Sequence, residues 1–239
     1  MIGDSVLACY LHPAGEVQHS FIMSLNMLMA YDTSHKKRLA SGPLAMRCSA
    51  GGLVTARNNA ADYFLNESGA EWLWFVDSDM GFEPTVVEQL LGAAHRDTRP
   101  VVGALCFGLK YGDSDGMGGY QTELFPTMFA WVEGPDRTAG FRAFREYPED
   151  ALVKVDGTGT GCLLIHRSVL TQVEEDFGPF WFDLLHDSAG GQLGEDLSFC
   201  LRLRHAGIPV HVATFIKTSH AKTVWLSEEH FRTQEAGRA

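Results

Sequence analysis

Two aspartates one residue apart, Asp77 and Asp79, close the run Trp72-Leu-Trp-Phe-Val-Asp-Ser-Asp-Met80. The apolar stretch from Trp72 to Val76 is too short for a helix and rich in aromatics, so it reads as a buried strand. A strand ending in paired carboxylates offers hard oxygen ligands to a divalent cation, which in turn can hold a diphosphate. The place suits that chemistry, because ligands of open α/β sheets collect at the carboxyl ends of the strands. A polar turn would use the same residue types without any ligand, and a bare tripeptide recurs by chance. The chain carries its own comparison. Asp113-Ser114-Asp115 repeats the tripeptide, but four glycines surround it between Gly112 and Gly119 and no apolar strand leads in. That setting predicts a flexible loop unable to aim carboxylates, and the further acids and closing Glu of a calcium loop are missing. The metal is therefore assigned to the first copy.

Other residues could join that chemistry. Glu195 and Asp196 open a predicted helix, where acids add about 0.3–1 kcal/mol through the helix dipole without any function. A carboxylate there could instead take a proton from an attacking hydroxyl. His220 follows the last predicted strand; one histidine among ten is more often an ordinary surface or core residue. Neutral imidazole is nevertheless a good third ligand for a Mn-type site that already holds carboxylates. Arg57 and Lys222 are either solvated charges or cations facing phosphate oxygens. Gly157-Thr-Gly-Thr-Gly161 has neither the GxGxxG spacing nor the Lys-Ser/Thr of a Walker loop. It reads as a turn needing positive φ, or as a substrate-side loop (Gly159, Thr160, Gly161) whose backbone must approach a sugar closely.

The elements that must position these groups follow from periodicity and punctuation. Strands are expected over 5–11, 45–49, 72–76 and 101–107, and helices over 17–30, 56–65 and from Thr85 to about 94. The helix at 56–65 would carry Arg57 and Asn58 in its first turn. Beyond a loop at 112–119, a strand is expected over 126–132, then a polar, turn-rich stretch over 133–151. Strands over 152–156 and 161–166 flank the glycine run, and an aromatic patch lies at Phe180-Trp-Phe-Asp183. A helix opens at Gly194-Glu-Asp and ends at Gly207, before a last strand over 209–215. Alternating strands and helices imply an α/β architecture, a largely parallel sheet with helices on both faces.

With 239 residues the chain can build one sizeable domain. No run of about 18 apolar residues exists, so no membrane span is expected, and the N-terminus lacks the basic and apolar segments of a signal peptide. Five scattered cysteines without CxxC spacing look like small buried hydrophobes of a reducing compartment, so a cytoplasmic location is expected. A net charge of −11 argues against nucleic-acid binding, which demands Lys and Arg, but not against one nucleotide.

The order of these pieces resembles the GT-A type of nucleotide-sugar-dependent glycosyltransferase, family-2-like members in particular. The resemblance rests on the strand-ending DxD, the Gly-rich segment 157–161, Glu195-Asp196 opening a helix and His220 after the last strand. Ala56-Arg-Asn58 and Gly194-Glu-Asp-Leu-Ser-Phe-Cys-Leu-Arg-Leu-Arg add to it, over about residues 5 to 223. It implies a single GT-A (Rossmann-like) domain over 1–239. Its nucleotide-binding half would be about 1–110, its acceptor-side half about 111–225, and 226–239 a tail. It implies Mn2+ or Mg2+ held by Asp77, Asp79 and His220, with Asp196 as the base of an inverting transfer and Glu195 placing the acceptor. The donor, a UDP-sugar in the favoured case, would meet Pro13, Arg57, Asp77, Ser78, Asp79 and Lys222. His12-Pro13-Ala14-Gly15 stands where a Pro-Thr-type turn is usual, which leaves the nucleobase contacts open. Compact cores of this kind resemble enzymes of bacteria and their phages, acting in the cytoplasm, or in the host cytoplasm if phage-encoded. Their acceptors are proteins, glycans or small molecules. Two other readings stand beside this one. A nucleotidyltransferase would favour a Gly-rich, Lys/Arg-bearing loop after strand one, and 12–19 offers one glycine and no Lys or Arg. The other is a sugar-nucleotide or glycan-binding module that kept the fold without turnover.

Overall fold

The computed structural model describes residues 4–13, 17–39, 42–49, 51–114, 120–134 and 139–224, together with positions 226, 228 and 232. The predicted tail at 226–239 lies mostly outside the described residues, as does Asp115.

Strands β1 (Val6–His12), β2 (Leu44–Arg47) and β3 (Trp72–Asp77) run parallel, with β1 in the middle. β12 (Cys162–His166) lies antiparallel between β3 and β5 (Val101–Leu105). β13 (Val210–His220) then runs parallel to β5 and pairs on its other side with β10 (Leu152–Val155). The eight-stranded sheet has the order β10-β13-β5-β12-β3-β1-β2, with short β4 (Met80–Phe82) paired to the far end of β13. β1, β2, β3, β5 and β13 share one direction, so the sheet is mostly parallel.

The central strands read as unbroken apolar runs because both faces are covered. Along β3, Trp72, Trp74 and Val76 pack on one side with Phe21, Leu25 and Leu28 of α1 (His19–Ser34) and Val86, Val87 and Leu90 of α3 (Val86–Ala93). Leu73 and Phe75 point the other way, onto Ala56, Ala60 and Phe64 of α2 (Gly52–Asn66) and Val169, Leu170 and Val173 of α4 (Arg167–Phe177). The i, i+4, i+8 spacing of Ala56, Ala60 and Phe64 is the apolar stripe that makes α2 a sheet-covering helix.

Helix α5 (Glu195–His205) is enclosed on two sides. Phe199 and Leu203 enter the main core, while Cys200 and Leu201 meet Phe141 in a second cluster. That cluster belongs to a three-stranded sheet of β11 (Gly157–Thr158), β8 (Met128–Glu133) and β9 (Ala139–Ala143). A hairpin of β6 (Phe107–Ser114) and β7 (Tyr120–Pro126) completes the second layer. Packing on both flanks leaves the N-terminus of α5 little freedom.

The sequence expectations need correcting in several places. Residues 112–114 continue strand β6 rather than starting a loop; pairing with β7 overrides their glycine. The strand expected over 126–132 is the end of β7 and the start of β8, separated by Thr127. Helix α2 begins at Gly52, so Arg57 sits in its second turn, and β9 interrupts the stretch expected to be turns. Helix α4 was not anticipated although its apolar spacing is helical. Arg167 fixes it by donating to the carbonyls of Phe64, Ser68 and Ala70 at the end of α2.

The glycines of 157–161 are not in left-handed conformations, which removes the positive-φ explanation. They are there for closeness. A Cβ at Gly157 would stand 2.9 Å from Phe141 Cε1 and 3.1 Å from Leu197 Cδ2. Gly157→Ala should therefore cost about 1–3 kcal/mol by overpacking. The check is a lower urea midpoint at unchanged slope.

Candidate active site

The end of β3 is joined to two distant parts of the chain. Asp77 N–H donates to the Gly161 carbonyl at 3.0 Å, and a Cβ on Gly161 would lie 3.3 Å from Asp77 Oδ2. On the other side, β13 changes register between Ala213 and Lys217, leaves β5, and pairs His220 with Met80 of β4. Ala221 N–H then donates to the Asp79 carbonyl at 2.9 Å. One ligand atom each from Asp77, Asp79 and His220 consequently falls within 4.8 Å of the others. Opposite ligands of a six-coordinate divalent ion, at roughly 2.1–2.4 Å each, would be separated by about 4–5 Å.

His220 is held in a definite state. Its Nδ1 lies 2.9 Å from the Phe107 carbonyl, which can only accept, so Nδ1 carries a proton. In the neutral ring Nε2 is then a bare lone pair. This atom is buried and makes no hydrogen bond, although Asp79 Oδ1 is only 3.1 Å away. A lone pair beside a carboxylate oxygen calls for a proton or a metal ion between them. Burial pulls the His220 pKa down, but Asp79 and the Phe107 carbonyl outweigh it and the pKa is raised. Burial pushes Asp79 up, and contacts with His220 and Lys222 outweigh that, so its pKa is lowered. Lys222 Nζ stands 3.0 Å from Asp79 Oδ2.

Arg57 links this corner to the second pair of acids. Its side chain is 1% exposed, and Nη2 donates to Asp77 Oδ1 at 3.1 Å. Its Nε lies 3.6 Å from Glu195 Oε1 and 3.7 Å from Asp196 Oδ1, with the guanidinium 5.4 Å from the centre of the Phe75 ring. Burial alone would lower the arginine pKa; Asp77, Asp196 and Glu195 reverse the sign. Nε and Nη1 have no hydrogen-bond partner. The guanidinium is thus directed at three carboxylates from beneath.

Glu195 and Asp196 sit in the first turn of α5. The Thr160 hydroxyl donates to Asp196 Oδ1, and a Cβ on Gly159 would be 3.6 Å from Asp196 Oδ2. The loop 159–161 therefore touches Asp196 at one end and Asp77 at the other, with the tighter approach at Gly161. Glu195 has a raised pKa, first from burial and then from the charge of Asp196 beside it. The other predicted donor residues lie at the same sheet edge. β1 ends opposite Asp77, and Pro13 follows it, exposed, its carbonyl 2.9 Å from His12 Nδ1. Ser78 is buried, and its carbonyl accepts from Gln18 N–H at 3.0 Å, tying the start of α1 to the acidic turn.

Sequence reasoning missed what Asn58 does. Its amide donates to Asp183 at 2.7 Å and accepts from Phe182 N–H at 2.9 Å, fastening the aromatic segment 180–183 onto α2. Nothing short of the contact itself distinguishes it from a surface Asn.

No family model matches the chain, and no curated protein matches it. Solved structures do. A crystal structure of A197 from STIV superposes with a TM-score of 0.51 at 16% identity, covering 91% of this chain and 86% of that one. The structure of GalNAc-T7 with UDP, GalNAc and Mn2+ gives a TM-score of 0.56 at 10% identity over 94% of this chain. This chain spans only 44% of the GalNAc-T7 chain. At such identities the likeness concerns the fold. Together with the mostly parallel sheet, covered by helices on both faces, it shows that the chain has the Rossmann-like GT-A fold.

Proposed function

We propose that this protein is a metal-dependent glycosyltransferase that moves a sugar from a nucleotide-diphosphate donor, a UDP-sugar in the favoured case, to an acceptor hydroxyl with inversion. The observation that carries this reading is the convergence of Asp77, Asp79 and the buried Nε2 of His220, which faces Asp79 Oδ1 at 3.1 Å. Two carboxylates and one imidazole make a donor set suited to Mn2+ or Mg2+, with oxygen ligands in the majority. When bound, such an ion stabilises the negative charge that grows on the departing diphosphate.

The remaining steps belong to side chains of the chain. Asp196, at a helix N-terminus beside the glycine loop, accepts the proton of the attacking hydroxyl. A bond forms from that oxygen to the anomeric carbon as the bond to the diphosphate oxygen breaks on the opposite face. Glu195, with its raised pKa, is suited to orient the acceptor rather than to take the proton. Lys222 exchanges Asp79 for a diphosphate oxygen, and Pro13 borders the nucleobase side. Arg57 acts from behind, holding Asp77 and Asp196 at fixed separation. In this reading about 1–110 serves the nucleotide and about 111–225 the acceptor, within one domain. Among the described residues no helix is long and apolar enough to cross a membrane.

The test is calorimetric binding of UDP with and without Mn2+, followed by UDP release from a panel of sugar donors. Asp79→Ala should abolish metal-dependent UDP binding while the fold persists, and Asp113→Ala should leave it near wild type, since Asp113 lies on β6 away from β3. The reverse ranking would move the metal to the other tripeptide. Binding without turnover of any donor would make the chain a binding module.

A second prediction uses pH. Protonated imidazole has no lone pair for a metal, so affinity must fall as pH falls through the His220 titration. Because that pKa is raised, the decline should begin above the ordinary range near ~6.5. In His220→Ala the metal-dependent binding should be weaker and flat between pH 6 and 8. Superimposable curves for the two proteins would remove His220 from the ligand set.

A further inference from the structure

A groove of about 390 Å³ lies between the β6–β7 hairpin and strands β8 and β9, outside the residues used above. Its walls are aromatic. The Phe129 ring meets Phe125 edge-on at 6.1 Å and Phe141 at 6.5 Å, and Trp131 supports Phe141 at 5.1 Å. Gly108 lies beneath Phe125, where a Cβ would come within 2.6 Å of the ring. Such interlocked rings form a fixed apolar platform, and Phe125 and Phe129 are only half-buried.

The rim has the opposite character to the rest of the molecule. Lys110, Arg142 and Arg145 line it against a single acid, Glu123, in a chain of net charge −11. Glu123 is already engaged by Arg145 and lies across the hairpin from Lys110. Arg142 is exposed, and among the described residues its guanidinium donates to the Phe141 carbonyl at 3.1 Å. A ligand carrying negative charge would complement this rim.

One wall of the groove adjoins the helix that carries the proposed base. Phe129 pairs with Gly157 across β8 and β11. The Cβ position of Gly157 is 2.9 Å from Phe141, on the groove wall, and 3.1 Å from Leu197, the neighbour of Asp196. A ring stacked on Phe129 can therefore present a hydroxyl towards Asp196. The volume suits one or two rings rather than an extended polymer.

Resting on the transferase reading above, the geometry points to this groove as the acceptor subsite and to an acidic saccharide, a sugar ring carrying a carboxylate or phosphate, as its occupant. The apolar face of the ring packs on Phe129 with Phe125 standing edge-on beside it, and Lys110 and Arg142 meet the anionic group.

Ligand-observed NMR on the full chain tests this with methyl β-D-glucuronide, glucose 6-phosphate and neutral methyl β-D-glucoside. At least one anionic sugar should bind roughly 10-fold more tightly than the neutral one, the usual weight of a charge-assisted hydrogen bond. The relative rank of the two anions tells carboxylate from phosphate. Lys110→Glu/Arg142→Glu, reversing two exposed charges, should erase the preference while Mn-dependent UDP binding stays at the wild-type level. Equal binding of charged and neutral sugars, or a preference that survives the double reversal, would overturn the proposal. So would tighter binding of an acidic tyrosine-containing peptide than of either anion. If wild type binds no UDP with Mn2+, the transferase reading fails; if it binds UDP but shows no anion preference, only the acceptor assignment fails.

Discussion

Asp196→Asn should lower sugar transfer by about 10²–10⁴-fold, the usual contribution of a positioned general base. The substitution keeps the size of the side chain and leaves an oxygen to accept from the Thr160 hydroxyl, so the turn around 159–161 keeps its contacts. It removes only the capacity to hold the incoming proton. Metal-dependent UDP binding should survive, because the Asp77–Asp79–His220 group is untouched. The measurement is single-turnover transfer beside calorimetric UDP affinity. Near-normal transfer would leave Glu195 and Asp196 as charges that merely stabilise the first turn of α5.

The other large effect is on stability. Arg57→Met preserves most of the side-chain length but withdraws the one cation that, among the described residues, faces Asp77, Glu195 and Asp196. Breaking a fully buried charge cluster costs about 3–5 kcal/mol. The three carboxylates keep 19–31% exposure and can be partly hydrated, so the lower end, about 3 kcal/mol, is expected. The variant should regain part of that loss as pH approaches the carboxylate range near about 4, where protonation relieves the repulsion. Urea denaturation at pH 7 and pH 4.5 reads both effects. An Arg57→Met protein of wild-type stability with weakened UDP affinity would instead make Arg57 a direct donor contact.

Much of the site was legible because its parts are local. Strand β3 and its terminal acids are written in eight consecutive residues, and the Glu-Asp pair at α5 is marked by Gly194 before it and Gly207 after it. What joins these parts is not local. The role of Arg57 depends on α2 starting at Gly52, four residues before the stretch whose periodicity is clear; that start places its side chain under the sheet edge. From sequence the glycine run reads as backbone freedom or as a loop that a sugar approaches closely, whereas Gly157 is crowded by Phe141 and Leu197 and Gly161 by Asp77. Such closeness arises only when β8, β11 and α5 pack. The β6–β7 hairpin was hidden by glycine content, since pairing with a partner strand overrides local propensity. The same lesson holds for α4, where a polar surface face masked the buried Val169, Leu170 and Val173.

The bond between Lys222 and Asp79 gives the metal-free protein a counter-ion of its own. Together with Arg57 on Asp77 it keeps the two acidic ligands near electroneutrality before any ligand arrives. In the proposed transferase, metal entry would then exchange one cation for another, and the displaced ammonium would be released where a diphosphate brings surplus negative charge. Charge would be conserved locally through the sequence of binding events: the same lysine would answer the carboxylate first and the phosphate afterwards. A protein arranged this way would hold metal only modestly without nucleotide and more firmly with it, so that occupancy of the two is coupled without any movement of the sheet.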